Sequence, residues 1–279
     1  MKGAVFTLLG AVALMGGLIA LFSWSPWDSE QREREFAWVE ALARWGESAP
    51  PASCEARFEA DVGEAPTTRL RAVASMARTR CDEVEEPRFL RWEVAGVLID
   101  GHRKDAVTTH EPDLSGIAAG IAGRGARIHC WSEGDWTPMA EQYSLLNSGE
   151  FWPAGLATPA RSLIDLAPEV CDPLRRFVRE GYAPWLSTET YDLSLALATL
   201  THEAEHLRVP FASEAEVECY ALQRVRALVR QAGKGRRYQD EMALIAWELG
   251  YPYLPPEYQT RRCRNGGPLD LRPGSSEWP

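Results

Sequence analysis

The segment His202-Glu203-Ala204-Glu205-His206 contains the residue types that bind a divalent metal and use it. On a helix, a spacing of four puts His202 and His206 on one face about one turn apart, as two imidazoles must be to share one zinc ion. Glu203 adjoins them. A carboxylate there can take a proton from a water that zinc has acidified to a pKa of about 7, and pass it to a leaving amine. Only five His occur in the chain, yet two stand at this spacing. So short a pattern also arises by chance, and it needs a partner element before it means a site.

The following segment supplies one. Ser213 with Glu216 three residues later forms a capping box that opens a second helix. On that helix Glu214, Glu218, Ala221, Val225 and Leu228 share one stripe, which places both carboxylates toward the core. Buried carboxylates are costly unless paired or coordinating a metal. Glu214 is therefore the favoured third ligand, with Glu218 orienting a ligand from behind. The reverse assignment stays open, because Glu218 lies deeper along the helix. Glu216 points away and serves the cap. An oxyanion donor is also required, and Tyr220, Tyr191 and His129 are candidates by residue type alone.

His202-Glu203-x-x-His206 followed by a Glu-bearing helix resembles the gluzincin type of zincin metallopeptidases. Several families of that group carry Glu-x-x-x-Asp on the second helix, where this chain has Glu214-x-x-x-Glu218. The run from Leu200 to Arg208, with Glu214 to Gln223, is also similar to uncharacterised exported metallopeptidase-like proteins of actinobacteria. The likeness in the motif covers about residues 196–226. A looser one runs through Cys130-Trp131 and Cys171 to the Cys263-Arg-Asn-Gly-Gly tail. The resemblance implies zinc and peptide hydrolysis and says nothing of the substrate.

The elements that must hold these residues read as follows. Ser187 or Thr188 caps a helix running to about Leu207, apolar on most sides and hence central to its domain. The second helix extends to about Arg230, and a third covers Tyr238 to Leu249, stopped by Gly250. Upstream, Glu169 to Glu180 is a helix, and Ala126–Trp131 and Ala160–Leu166 are short strands. Gly116 to Gly125 is turn-prone, while Arg91–Ile99 is strand or helix. Glu30 to Gly46 is an amphipathic helix, followed by a break at 48–53 and a helical hairpin that a Cys54–Cys81 bridge would staple. The expected fold is α+β, mainly α. It divides into an anchor (1–28), a helical stalk (29–85), a zincin-like domain (86–250) with a short sheet, and an irregular tail (251–279).

Gly3 to Phe22 is an uncharged apolar run long enough to span a bilayer as a helix. Lys2 before it, with Asp28 and Glu30 after it, places the remaining chain outside the cytoplasm. A retained single-pass anchor is favoured over a cleaved signal, because Ala20-Leu-Phe-Ser23 is a poor cleavage site. Six cysteines without C-x-x-C spacing then read as disulfides. Cys219 lies off the metal stripe and would pair with Cys171, and Cys130 with Cys263 would then tie the tail to the body. A net charge of −10 argues against nucleic acid. The expected function is a membrane-anchored zinc peptidase acting on peptides or proteins outside the cytoplasm. The alternative is a non-catalytic envelope protein in which a metal only braces helices.

Overall fold

A computed structural model describes residues 26–47, 58, 60–80, 87–146, 152–180 and 188–279. The chain divides into two compact units, Met1–Gly101 with Leu145–Asn147, and His102–Ser144 with Ser148–Pro279. The apolar run Gly3–Phe22 and the pair Cys54 and Cys81 lie outside the described residues. Among the described residues, no helix is long and apolar enough to cross a membrane.

The described part of the first unit is mainly helical. Helices α1 (Pro26–Glu47) and α2 (Thr68–Arg80) and most of α3 (Pro87–Asp105) belong to it. Val39, Leu42, Leu70 and Val73 are buried, and Trp45 meets Phe58 edge-to-face at 5.1 Å. The apolar run Arg91–Ile99 is helical, inside α3.

The second unit contains all the strands among the described residues: β1 (Thr108–His110), β2 (Arg127–Trp131), β3 (Gly155–Thr158) and β4 (Leu163–Leu166). Their order is β1-β2-β4-β3, with β2 and β4 parallel and both outer pairs antiparallel. β1 and β3 are too short to show a period, and the sequence reading missed them. The strand expected from Ala160 starts only at Leu163, because Pro159–Arg161 form a 3₁₀ turn that Ser162 closes at φ 52°. Gly116 to Gly125 is not a turn region. It lies mostly in α4 (Pro112–Ala122), which begins with Pro112 in its first turn and ends at Gly123 with φ 66°. The physical reason is that Leu114, Ala118 and Ile121 recur at helical spacing and are buried, which outweighs two interior glycines. Helix α5 (Glu133–Leu146) was likewise missed, with Pro138 inside it.

The remaining helices are α6 (Pro168–Glu180), α7 (Thr188–Arg208), α8 (Glu214–Gln231) and α9 (Arg236–Ile245). α7 is buried along most of its length and packs against α4, α6 and α8. α9 continues into a π turn over Ala246–Gly250. Among the described residues the disulfides are Cys130–Cys171 and Cys219–Cys263, which corrects both expected pairings. Cys130 is buried on β2 opposite α6, which carries Cys171. Cys219 faces the C-terminal tail, in a small core with Cys263 and Leu269. Residues 251–279 belong to the second unit and lie across α8.

Candidate metal site

The turn Val209–Ala212 is short because both ends are fixed. Val209 N–H still donates to Glu205 O at 2.7 Å, and Ser213 Oγ accepts from Glu216 N–H in a complete capping box. The first turn of α8 is thereby held beside the last turns of α7. Three ligand-type atoms converge there. His202 Nε2 lies 3.0 Å from His206 Nε2 and 3.1 Å from Glu214 Oε2, and His206 Nε2 lies 3.2 Å from Glu214 Oε2. Tetrahedral bonds of about 2.0–2.1 Å separate ligand atoms by about 3.3–3.4 Å. The triangle is close to that size, and among the described residues it is the one His/Cys/Asp/Glu group that could hold a metal ion.

Glu218 stands behind the triangle. Its Oε2 is 2.7 Å from His202 Nδ1, and both side chains are buried. An ionised carboxylate only accepts, so Nδ1 carries the hydrogen, and in the neutral imidazole Nε2 is left as a lone pair aimed into the triangle. Burial acts to lower the His202 pKa, but hydrogen bonds to Glu214 and Glu218 overcome it and raise the value to about 10. Burial likewise acts to raise Glu214, and hydrogen bonds to His202 and His206 hold it well below the usual carboxylate range. The cluster attracts positive charge, as a proton or as a metal ion.

Glu203 is buried beside it, and burial raises its pKa against the pull of His202 and His206. Edge strand β3 fixes its position. Ala157 N–H donates to the Glu203 carboxylate. A Cβ on Gly155 would come within 2.8 Å of Glu203 Cγ, so the strand can approach α7 this closely only with glycine there. Sequence reasoning missed this support, since Gly155 is a lone glycine between weak signals.

None of the three proposed oxyanion donors is seen at the cluster. Tyr191 donates to Leu249 O at 3.4 Å, Tyr220 lies under Arg208 in a cation–π contact, and His129 sits on β2 near Asp165. Two other phenols lie near the cluster. The Tyr258 ring lies 5.6 Å from that of His202. Tyr258 and Tyr143 are each raised by burial and then by the charges of Glu214 and Glu203, so both are protonated donors. Tyr143 comes from α5, for which Ser132 with Asp135 was the available capping signal. Tyr258 comes from the tail, where no local pattern marks it.

Two further buried carboxylates lie elsewhere in this unit. Asp165 accepts from Trp131 Nε1 at 2.9 Å and is ion-paired with Arg103. Glu205, inside the motif, faces Arg208 at 2.6 Å, and its Oε1 is 2.7 Å from Arg224 Nε, within ion-pair reach though not aligned as a hydrogen bond. The chain matches no family model, and neither curated proteins nor solved structures give a match.

Proposed function

We propose that the protein is a zinc-dependent peptidase that hydrolyses peptide bonds outside the cytoplasm, tethered by its N-terminal apolar run. The observation that carries this reading is the three-atom triangle of His202, His206 and Glu214 with the Glu203 carboxylate beside it. The group holds three ligand side chains and no fourth among the described residues. A structural zinc site is closed by four protein ligands, whereas a catalytic one keeps a position open. Two disulfides in the second unit support an oxidising compartment.

Zinc held by His202, His206 and Glu214 would supply Lewis acidity and acidify a water. The chain's own residues do the rest. Glu203 accepts a proton and later delivers it to the leaving amine. The Ala157 amide and the absence of a side chain at Gly155 hold that carboxylate in place. Tyr143 and Tyr258 donate hydrogen bonds to charge developing on the carbonyl oxygen. Glu218 keeps His202 in the tautomer that ligation needs.

The test is zinc content and turnover of a mixed peptide pool, measured for the purified protein and for Glu203→Gln. The expectation is equal zinc with turnover reduced by about 10²–10⁴-fold. Unchanged turnover in Glu203→Gln rejects the mechanism. Bound zinc without turnover in the unaltered protein turns the reading toward a metal that only braces the two helices.

A further inference from the structure

Helix α8 has two working faces. One carries Glu214 and Glu218 toward the cluster on α7. The other carries Cys219 and Gln223, and both grip the C-terminal tail. Cys219 is bonded to Cys263. The buried Gln223 amide donates to Leu269 O at 2.9 Å and accepts from Leu271 N–H at 2.7 Å, so it reads the tail backbone as a neighbouring strand would. A third hydrogen bond from the same amide, to Cys219 O at 2.9 Å, fixes its orientation on the helix. On the exposed side, Arg262 reaches Glu216 at 3.1 Å.

The grip has a consequence for the segment that leads into it. Tyr251 and Thr260 exchange hydrogen bonds, with Thr260 N–H donating to the phenol oxygen at 2.9 Å and the phenol to Thr260 O at 3.3 Å. Gln259 Nε2 donates to Leu254 O at 2.5 Å. The intervening loop is thus closed on itself, and at its end the 3₁₀ turn Pro256–Tyr258 sets the Tyr258 ring against His202. The loop makes little core of its own. Its Pro252, Tyr253, Pro256 and Glu257 are exposed, while Tyr251 stacks on Trp247 and the 3₁₀ turn packs on α8. Beyond Thr260 the chain is held to α8 by two buried contacts, the disulfide and the Gln223 amide.

We infer that the tail is a latched part of the metal site: Cys219–Cys263 and Gln223 are positioning residues that hold Tyr258 over the metal-ligating imidazole. The inference deepens the peptidase reading and rests on it only for its effect on turnover. Its effect on metal exchange stands without that reading, because a ring packed on His202 shields the ligand from water and from competing chelators.

The experiment is a cycle of variants in the full chain, comparing Tyr258→Phe, the open latch (Cys219→Ser with Cys263→Ser) and the two combined. Tyr258→Phe keeps the ring and loses the donor, so kcat should fall by about 100-fold with zinc content and KM held. The open latch should lower kcat by about tenfold or more, and in the Tyr258→Phe background it should cost nothing further. Additive losses would overturn the inference. A second readout is the rate at which zinc passes to a colorimetric chelator, expected about tenfold faster in the open latch and near normal in Tyr258→Phe, on the scale of partners that orient metal ligands. An unchanged release rate overturns the inference even if no peptide is ever cleaved, whereas absent turnover with faster release removes only the peptidase reading. Should the double serine variant fail to fold, Gln223→Met takes its place. It keeps the disulfide, removes the amide hydrogen bonds, and should shift both readouts in the same direction by a smaller factor.

Discussion

The second unit holds acidic side chains inside it in two ways. At Asp165 and Glu205 the chain supplies its own cations: Arg103 for the first, Arg208 and Arg224 for the second. At Glu214 and Glu218 it supplies only imidazoles, and among the described residues no Lys or Arg pairs with either. The difference separates an acid held in an ion pair from one placed where a cation could be held. A guanidinium completes an ion pair and closes the site, whereas imidazoles leave lone pairs that can take a proton or a metal ion.

That contrast can be broken in both directions. The largest effect is expected at the structural pair. Asp165→Ala removes the fully buried carboxylate that faces the partly buried Arg103 and accepts from Trp131 Nε1, and should destabilise the protein by about 3–5 kcal/mol, read by denaturant unfolding, while zinc per folded molecule stays constant. A loss of zinc beyond the loss of folded protein would erase the distinction. Glu214→Gln should do the opposite. It should weaken zinc by more than the roughly 10–100-fold seen for partners that only orient ligands, as measured by competition with a chelator. Stability of the metal-free protein should fall by less than in Asp165→Ala.

Glu218→Gln falls between them, with zinc affinity down about tenfold, because a neutral carbonyl still accepts from His202 Nδ1–H but lends it less charge. If Glu218→Gln proves the more damaging of the two, the assignment of ligand and orienting group must be exchanged. Ser213→Ala removes the cap that aims Glu214 and should cost about 1 kcal/mol, measured as a lowered Tm. The smallest effect concerns pH. Burial lowers the His129 pKa from 6.5, against the pull of Asp165. The neutral ring therefore contributes stability that is present above pH 6.5 and lost as pH falls through the lower folded value. His129→Gln should flatten the fall in Tm between pH 7 and pH 5, and an identical slope would place that acid sensitivity in other groups.

Much of the helical layer could be read from the sequence. The span of α7, the capping box at Ser213 and the inward stripe of α8 are local or periodic signals, and each follows from neighbours within about one or two turns. The sheet was half legible. β2 and β4 run through buried apolar residues, but β1 and β3 are edge strands of three and four residues whose pairing partners, not their composition, make them strands. α4 was misread because its glycines spoke louder than the spacing of Leu114, Ala118 and Ile121.

The site divides along the same line. His202, Glu203, His206, Glu214 and Glu218 could be named from the sequence because helix geometry converts spacing directly into a shared face. The sequence also limits the chemistry, since those residue types are able to hold a cation and move a proton. Distances between elements decided everything else. The fold brings Gly155 and Ala157 to Glu203, Tyr143 from α5, and Tyr258 from a tail that a disulfide to α8 holds in place. No residue in those segments announces its role, because a close backbone approach or a ring laid on an imidazole depends on where two distant stretches of chain meet.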